Sequence, residues 1–184
     1  DGKGVGYAVN IGSGHKMIYF DNKEKMLDAA KKLVNDDRIR KSMDKDGKED
    51  LLVLGRQVPG NYPMLATTFL LKNNTNEGKV HFDMFAEMQP KAFAELGMAT
   101  SAVITDFNND TWLDIIIVGE WMPIRVFKNM KTEFVEVSED MGLNSDTRGW
   151  WWSIKEGDMD NDGDMDYIVG NNGLNYKYKA TANE

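Results

Sequence analysis

Asp158-Met-Asp160-Asn-Asp162-Gly163-Asp164-Met-Asp166 decides how this chain is read. Oxygen donors stand at positions 1, 3, 5 and 9 of the stretch, and glycine stands at position 6, where a tight loop must reverse. Four carboxylates crowded this closely repel one another unless a hard cation sits among them. Calcium favours such an all-oxygen cage, completed by a backbone carbonyl at position 7, here that of Asp164. An EF-hand would need a bidentate glutamate at position 12, but Val169 stands there. The residues that follow, Tyr167-Ile-Val-Gly170, read as a buried strand. The expectation is therefore a calcium loop that feeds a β-strand.

The same loop recurs twice upstream. Asp106-Phe-Asn108-Asn-Asp110-Thr-Trp112-Leu-Asp114 runs into Ile115-Ile-Ile-Val-Gly119, and Ser42-Met-Asp44-Lys-Asp46-Gly-Lys48-Glu-Asp50 runs into Leu51-Leu-Val-Leu-Gly55. The closing aspartates fall 64 and then 52 residues apart, a period typical of propellers, solenoids and repeat arrays. The intervening segments also align. Phe69-Leu-Leu-Lys72-Asn73 and Arg125-Val-Phe-Lys128-Asn129 are short strands that end in Lys-Asn, and each precedes an alternating strand, Lys79–Met84 or Glu133–Val137. Ala102–Thr105 and Trp151–Ile154 then lead into the next loop. About four short strands per period is the content of one propeller blade. The fold class expected is all-β: about three four-stranded blades of a partial propeller, forming a single domain over residues 1–184.

One stretch departs from that pattern. Residues 23–34 place Met26, Ala30, Leu33 and Val34 at helical spacing, with charges opposite, and predict an inserted amphipathic helix packed on a blade edge. Three periods do not close a ring, since propellers need four to eight blades. The expectation is a piece of a longer chain, or one part of an assembly that supplies the remaining blades.

A formal net charge of −8 follows largely from the loops, and three bound Ca²⁺ would bring it to about −2. The acidity excludes the positive stripe that nucleic-acid binding needs. There is no cysteine, which excludes thiol chemistry, disulfides and cysteine–zinc sites. No apolar run is long enough to insert in a membrane. His15 and His81 stand in separate segments without a triad pattern, so no catalytic residue is assigned. In Trp150-Trp-Trp152, alternation sends two rings to one face and one to the other, a core feature before a sugar platform.

The loops resemble FG-GAP/VCBS repeats, the calcium-binding blades of integrin α-chain propellers and of many bacterial surface proteins. Val58–Pro63, Glu95–Met98, Val118–Ile124, Gly149–Trp151 and Tyr167–Asn175 bring the likeness closest to the large bacterial VCBS-repeat proteins of the cartilage acidic protein (ASPIC/UnbV) group, over roughly residues 42–184. That resemblance implies a non-enzymatic calcium-binding β-propeller of an exported protein. Such a module would sit at the cell surface, on the outer membrane or in the periplasm, and would serve adhesion, protein or glycan binding, or scaffolding. The alternative is part of a calcium-dependent polysaccharide lyase or hydrolase.

The metal positions carried over are Asp158, Asp160, Asp162, Asp164 and Asp166; Asp106, Asn108, Asp110, Trp112 and Asp114; and Ser42, Asp44, Asp46, Lys48 and Asp50. Two to three Ca²⁺ sites are expected, strongest at 158–166 and weakest at 42–50, where Ser42 replaces a carboxylate. In the middle loop Thr111 stands where the family prefers glycine. That loop must bend differently or bear the strain of a β-branched residue at positive φ.

Overall fold

A computed structural model describes residues 7–10, 17–20, 24–25, 42–58, 60–143 and 145–173. The chain divides into two compact units, Asp1–Leu96 and Gly97–Glu184. Apart from Glu24 and Lys25, the regular structure of the described residues is antiparallel sheet with short 3-10 turns at Lys91–Glu95 and Ser145–Thr147. Of the helix predicted over 23–34, only Glu24 and Lys25 are described, both helical, and the remainder lies outside the described residues.

In the first unit, β1 (Tyr7–Asn10) pairs antiparallel with β2 (Met17–Phe20). A three-stranded sheet follows: β3 (Leu51–Val53), β4 (Phe69–Asn73) and β5 (Phe82–Met84). Leu51 faces Leu71, which in turn faces Met84, and Asn73 faces Phe82. Leu70 and Leu71 are adjacent yet both buried, so β4 is covered on both faces, whereas β3 alternates with Leu51 and Val53 buried.

The second unit repeats this sheet and extends it. β6 (Met98–Thr105) pairs with β7 (Asp114–Met122), β7 with β8 (Arg125–Asn129), and β8 with β9 (Phe134–Glu136). Ile115 faces Phe127, which faces Glu136, and Asn129 faces Phe134. The register of β7-β8-β9 is thus that of β3-β4-β5, residue for residue. The strand expected to complete the earlier period, β6, pairs with β7 instead, so β3-β4-β5 is a sheet of three and β6–β9 is a meander of four.

The run Ile115-Ile-Ile-Val118 is buried throughout because β7 is the central strand, covered on both faces. Gly119 is required within it: a Cβ there would stand 2.2 Å from the Met98 carbonyl oxygen of β6.

A second hairpin, β10 (Gly149–Gly157) and β11 (Asp166–Asn171), continues the sheet. Glu120 of β7 pairs with Met98 of β6 and also with Trp150 of β10, which ties the hairpin to the meander. Ile116, Val118, Val126 and Ile154 form the core between them, joined by Val103, Phe107, Trp151, Tyr167 and Val169. Trp151 therefore faces the core. Trp150 and Trp152 lie on the other side and stack at 5.9 Å between ring centroids, with Trp121 4.8 Å from Trp150.

Candidate metal centres

The middle and last acidic loops each join the two strands of a hairpin, and the first runs directly into β3. The middle loop leaves β6 at Thr105 and returns at Asp114, its cross-strand partner, while the last leaves β10 at Gly157 and returns at Asp166. Closing a hairpin with eight residues in so small a space requires backbone in the left-handed region. Positions 4 and 6 adopt it in all three loops: Lys45 (φ 60°) and Gly47 (81°), Asn109 (58°) and Thr111 (71°), Asn161 (62°) and Gly163 (95°). Thr111 thus takes the glycine conformation. The middle loop does not bend differently and bears the strain instead.

The carboxylates shape the loops by accepting from backbone N–H groups. At position 5 the side chain accepts from position 7: Lys48 N to Asp46 at 2.8 Å, Trp112 N to Asp110 at 2.9 Å and Asp164 N to Asp162 at 2.9 Å. At position 1, Asp106 accepts from Thr111 N (2.6 Å) and Asp158 from Gly163 N (3.1 Å). At position 9 the carboxylate accepts from position 2: Met43 N to Asp50 at 2.8 Å, Phe107 N to Asp114 at 3.3 Å and Met159 N to Asp166 at 2.9 Å.

Position 9 carries a further structural duty in the first two loops. The backbone N–H of Asn73 donates to Asp50 (3.0 Å) and that of Asn129 to Asp114 (2.8 Å), each from the neighbouring strand. Both aspartates are buried. Burial, with the charges of Asp44 and Asp46, pushes the Asp50 carboxyl up to about 6 against its two backbone hydrogen bonds. Asp114 is pushed up to about 6 by burial and by Asp110 and Asp106.

The loops differ in how their oxygens converge. Among the described residues, three carboxylates gather tightly in the last loop: one oxygen each of Asp158, Asp160 and Asp166 lies within 4.8 Å of the others. Ca–O distances of about 2.3–2.6 Å put ligands on one ion up to roughly 5 Å apart, so this set fits Ca²⁺ in donor type and span. Asp158, Asp160 and Asp166 would hold such an ion, which would neutralise their mutual repulsion and pin the hairpin end. Asp162 and the Asp164 carbonyl lie in the same loop. The Asp164 side chain accepts from Asn109 Nδ2 of the middle loop (3.1 Å), and beside the loops Thr105 Oγ1 of β6 lies 2.9 Å from Tyr167 Oη of β11, so the two hairpin ends are linked.

In the middle loop, Asn108 donates through Nδ2 to Asp114 (3.0 Å), and Lys128 Nζ stands 3.5 Å from Asp110. In the first loop the Ser42 hydroxyl faces Asp44 and Asp46 (3.4 and 3.5 Å). There Lys72 Nζ is bound to Asp44 Oδ2 and lies 3.7 Å from Asp46 Oδ2. Both lysines come from the recurrent Lys-Asn ending of β4 and β8. The recurrence is visible in the sequence; the reach of the side chain back to a loop far upstream is not.

Comparison with family models bears on these loops directly. Residues 106–169 match the FG-GAP-like repeat. The FG-GAP-like segment starts at the first ligand position of the middle loop and ends in β11, so it spans both linked loops and the core between them. Neither the curated proteins nor the solved structures compared with the chain yield a match. Among the described residues, no helix is long and apolar enough to cross a membrane. His81 is exposed and pairs with Asp83 at 3.1 Å.

Proposed function

We propose that this chain is a calcium-stabilised β-propeller segment of the FG-GAP/VCBS type, a non-catalytic binding or scaffolding module of an exported protein. The observation that carries the proposal is the convergence of Asp158, Asp160 and Asp166 at the end of a hairpin, within a segment that matches the FG-GAP-like repeat. The repeated register of β3-β4-β5 and β7-β8-β9 supports blades as the structural unit. The Ca²⁺ ion acts as a staple at the strand ends, since the aspartates around it are already engaged in ordering backbone N–H groups. A partner, protein or glycan, would be met by the loops at one end of the blades.

Calorimetric titration with Ca²⁺ tests the proposal. Saturable binding that is lost in Asp158→Asn/Asp160→Asn supports it. An unchanged titration in that variant, or no binding by the unmodified chain, contradicts it.

A further inference from the structure

We propose that Lys72 is the resident cation of the first loop, so that residues 42–50 are closed by an internal ammonium and exclude Ca²⁺. This rests on the calcium assignment made above for the last loop. Lys72 leaves β4 one residue before Asn73, the residue whose backbone N–H holds the closing aspartate. From there its ammonium group reaches the position 3 carboxylate, Asp44, directly and stands 3.7 Å from the position 5 carboxylate, Asp46. Positions 3 and 5 are two of the side-chain ligand positions of the repeat.

The side chain is held on that path, because the ammonium also lies 5.2 Å from the centre of the Phe85 ring.

Charge separates the three loops in the same order. The last offers four carboxylates at side-chain ligand positions, and among the described residues no lysine or arginine pairs with them. The middle offers three, with Lys128 at 3.5 Å from one of them. The first offers three, one bound to Lys72 and a second close to it, with Ser42 supplying a hydroxyl in place of the fourth. To seat Ca²⁺ in the first loop, the ammonium must leave two carboxylates and be resolvated, whereas a cation entering the last loop displaces no lysine or arginine of the described residues. Lys-Asn ends the corresponding strand in the first and middle repeats alike; its ammonium meets two carboxylates in the first loop and one in the middle loop.

The experiment is equilibrium dialysis with radioactive Ca²⁺ on the full chain and on three variants: Lys72→Met, Lys72→Arg and Asp44→Asn. Methionine keeps the apolar stem on Phe85 and removes the charge, and circular dichroism checks the fold of each protein. The expected result is one additional bound Ca²⁺ in Lys72→Met, with an affinity at least about tenfold above any residual binding at this loop in the unmodified chain. Lys72→Arg and Asp44→Asn should leave the stoichiometry unchanged.

An unchanged count in Lys72→Met overturns the proposal, and so does loss of one Ca²⁺ in Asp44→Asn, because the first loop would then be a working site with Lys72 in place. The calcium assignment fails separately. If the unmodified chain binds nothing while Lys72→Met binds one Ca²⁺, the role of Lys72 stands and the assignment of the last loop falls.

Discussion

The first and last acidic loops share a backbone and differ in what stabilises them. Both turn through left-handed residues at positions 4 and 6, and both order position 7 through the position 5 carboxylate. The first loop is closed from within the protein: Asp50 is buried, holds backbone N–H groups of two segments, and has Lys72 over its neighbours. The last loop has a closing aspartate that is not buried and accepts from the Met159 backbone N–H, while its carboxylates face one another. On the proposed assignments, one repeat geometry is held by hydrogen bonds and an ammonium in the first loop and by a divalent ion in the last.

The largest effect should come from breaking the last loop. At a Ca²⁺ concentration about 100 times Kd, binding to the native state adds about 3 kcal/mol of stability. Asp158→Ala/Asp160→Ala should remove most of that gain in denaturant titrations, whereas Asp44→Ala/Asp46→Ala should leave the calcium-dependent part intact. The reverse outcome would invert the comparison.

Next in size is the closing aspartate. Asp50→Ala strands two N–H groups at a buried site, at roughly 1–3 kcal/mol each, partly offset by relief of a desolvated carboxylate. A net loss of about 2 kcal/mol is expected in chelator, measured by urea unfolding. Asp166→Ala under the same conditions should lose less than about 1 kcal/mol, since its site is open to water.

The pH response sharpens the contrast further. Asp50 and Asp114 have folded-state values raised to about 6 from 3.8. Their stabilising contribution is therefore complete below about pH 4 and lost as pH rises through about 6. Calcium-stripped protein should gain on the order of 1 kcal/mol between pH 7 and pH 5 from each of these two groups. Carboxyl NMR titration should place both midpoints near 6. Calcium should lower the midpoint of Asp114 and leave that of Asp50, held beside Lys72, where it was.

Two smaller effects concern the middle loop. Thr111→Gly relieves a β-branched residue at φ 71° and should stabilise by somewhat under about 1 kcal/mol after the entropy of glycine in the unfolded chain. Asn109→Gly keeps the left-handed backbone accessible and removes the hydrogen bond to Asp164, so a loss of about 0.5 kcal/mol is expected. Both are read by thermal unfolding.

Much of this was legible in the sequence because it is local. Aspartate at alternate positions with glycine at position 6 specifies a hairpin-end loop, and the apolar runs Leu51–Leu54 and Ile115–Val118 specify the strands that follow. The strands of each period were readable from spacing, but not their grouping: β6, which leads into the middle loop, joins the sheet that follows it. What spacing does not encode is which side chain crosses from a neighbouring strand. Lys72 acts on residues about 30 positions earlier, and Asn73 and Asn129 act through backbone N–H groups that any residue but proline would supply. The Thr111 question was posed correctly by the sequence, but only the dihedral angle decides that the loop keeps its shape. The Trp150–Trp152 alternation was likewise readable, yet the partner on the exposed side, Trp121, comes from the end of β7.

The most direct test of the account is a pair of melting curves, one in millimolar Ca²⁺ and one in excess EGTA, on the unmodified chain. Calcium-held hairpin ends predict a melting temperature several degrees higher with Ca²⁺, and a shift that disappears in Asp158→Ala/Asp160→Ala. Superimposable curves would mean that the aspartates serve only as turn-forming acceptors, and the calcium assignment would be contradicted.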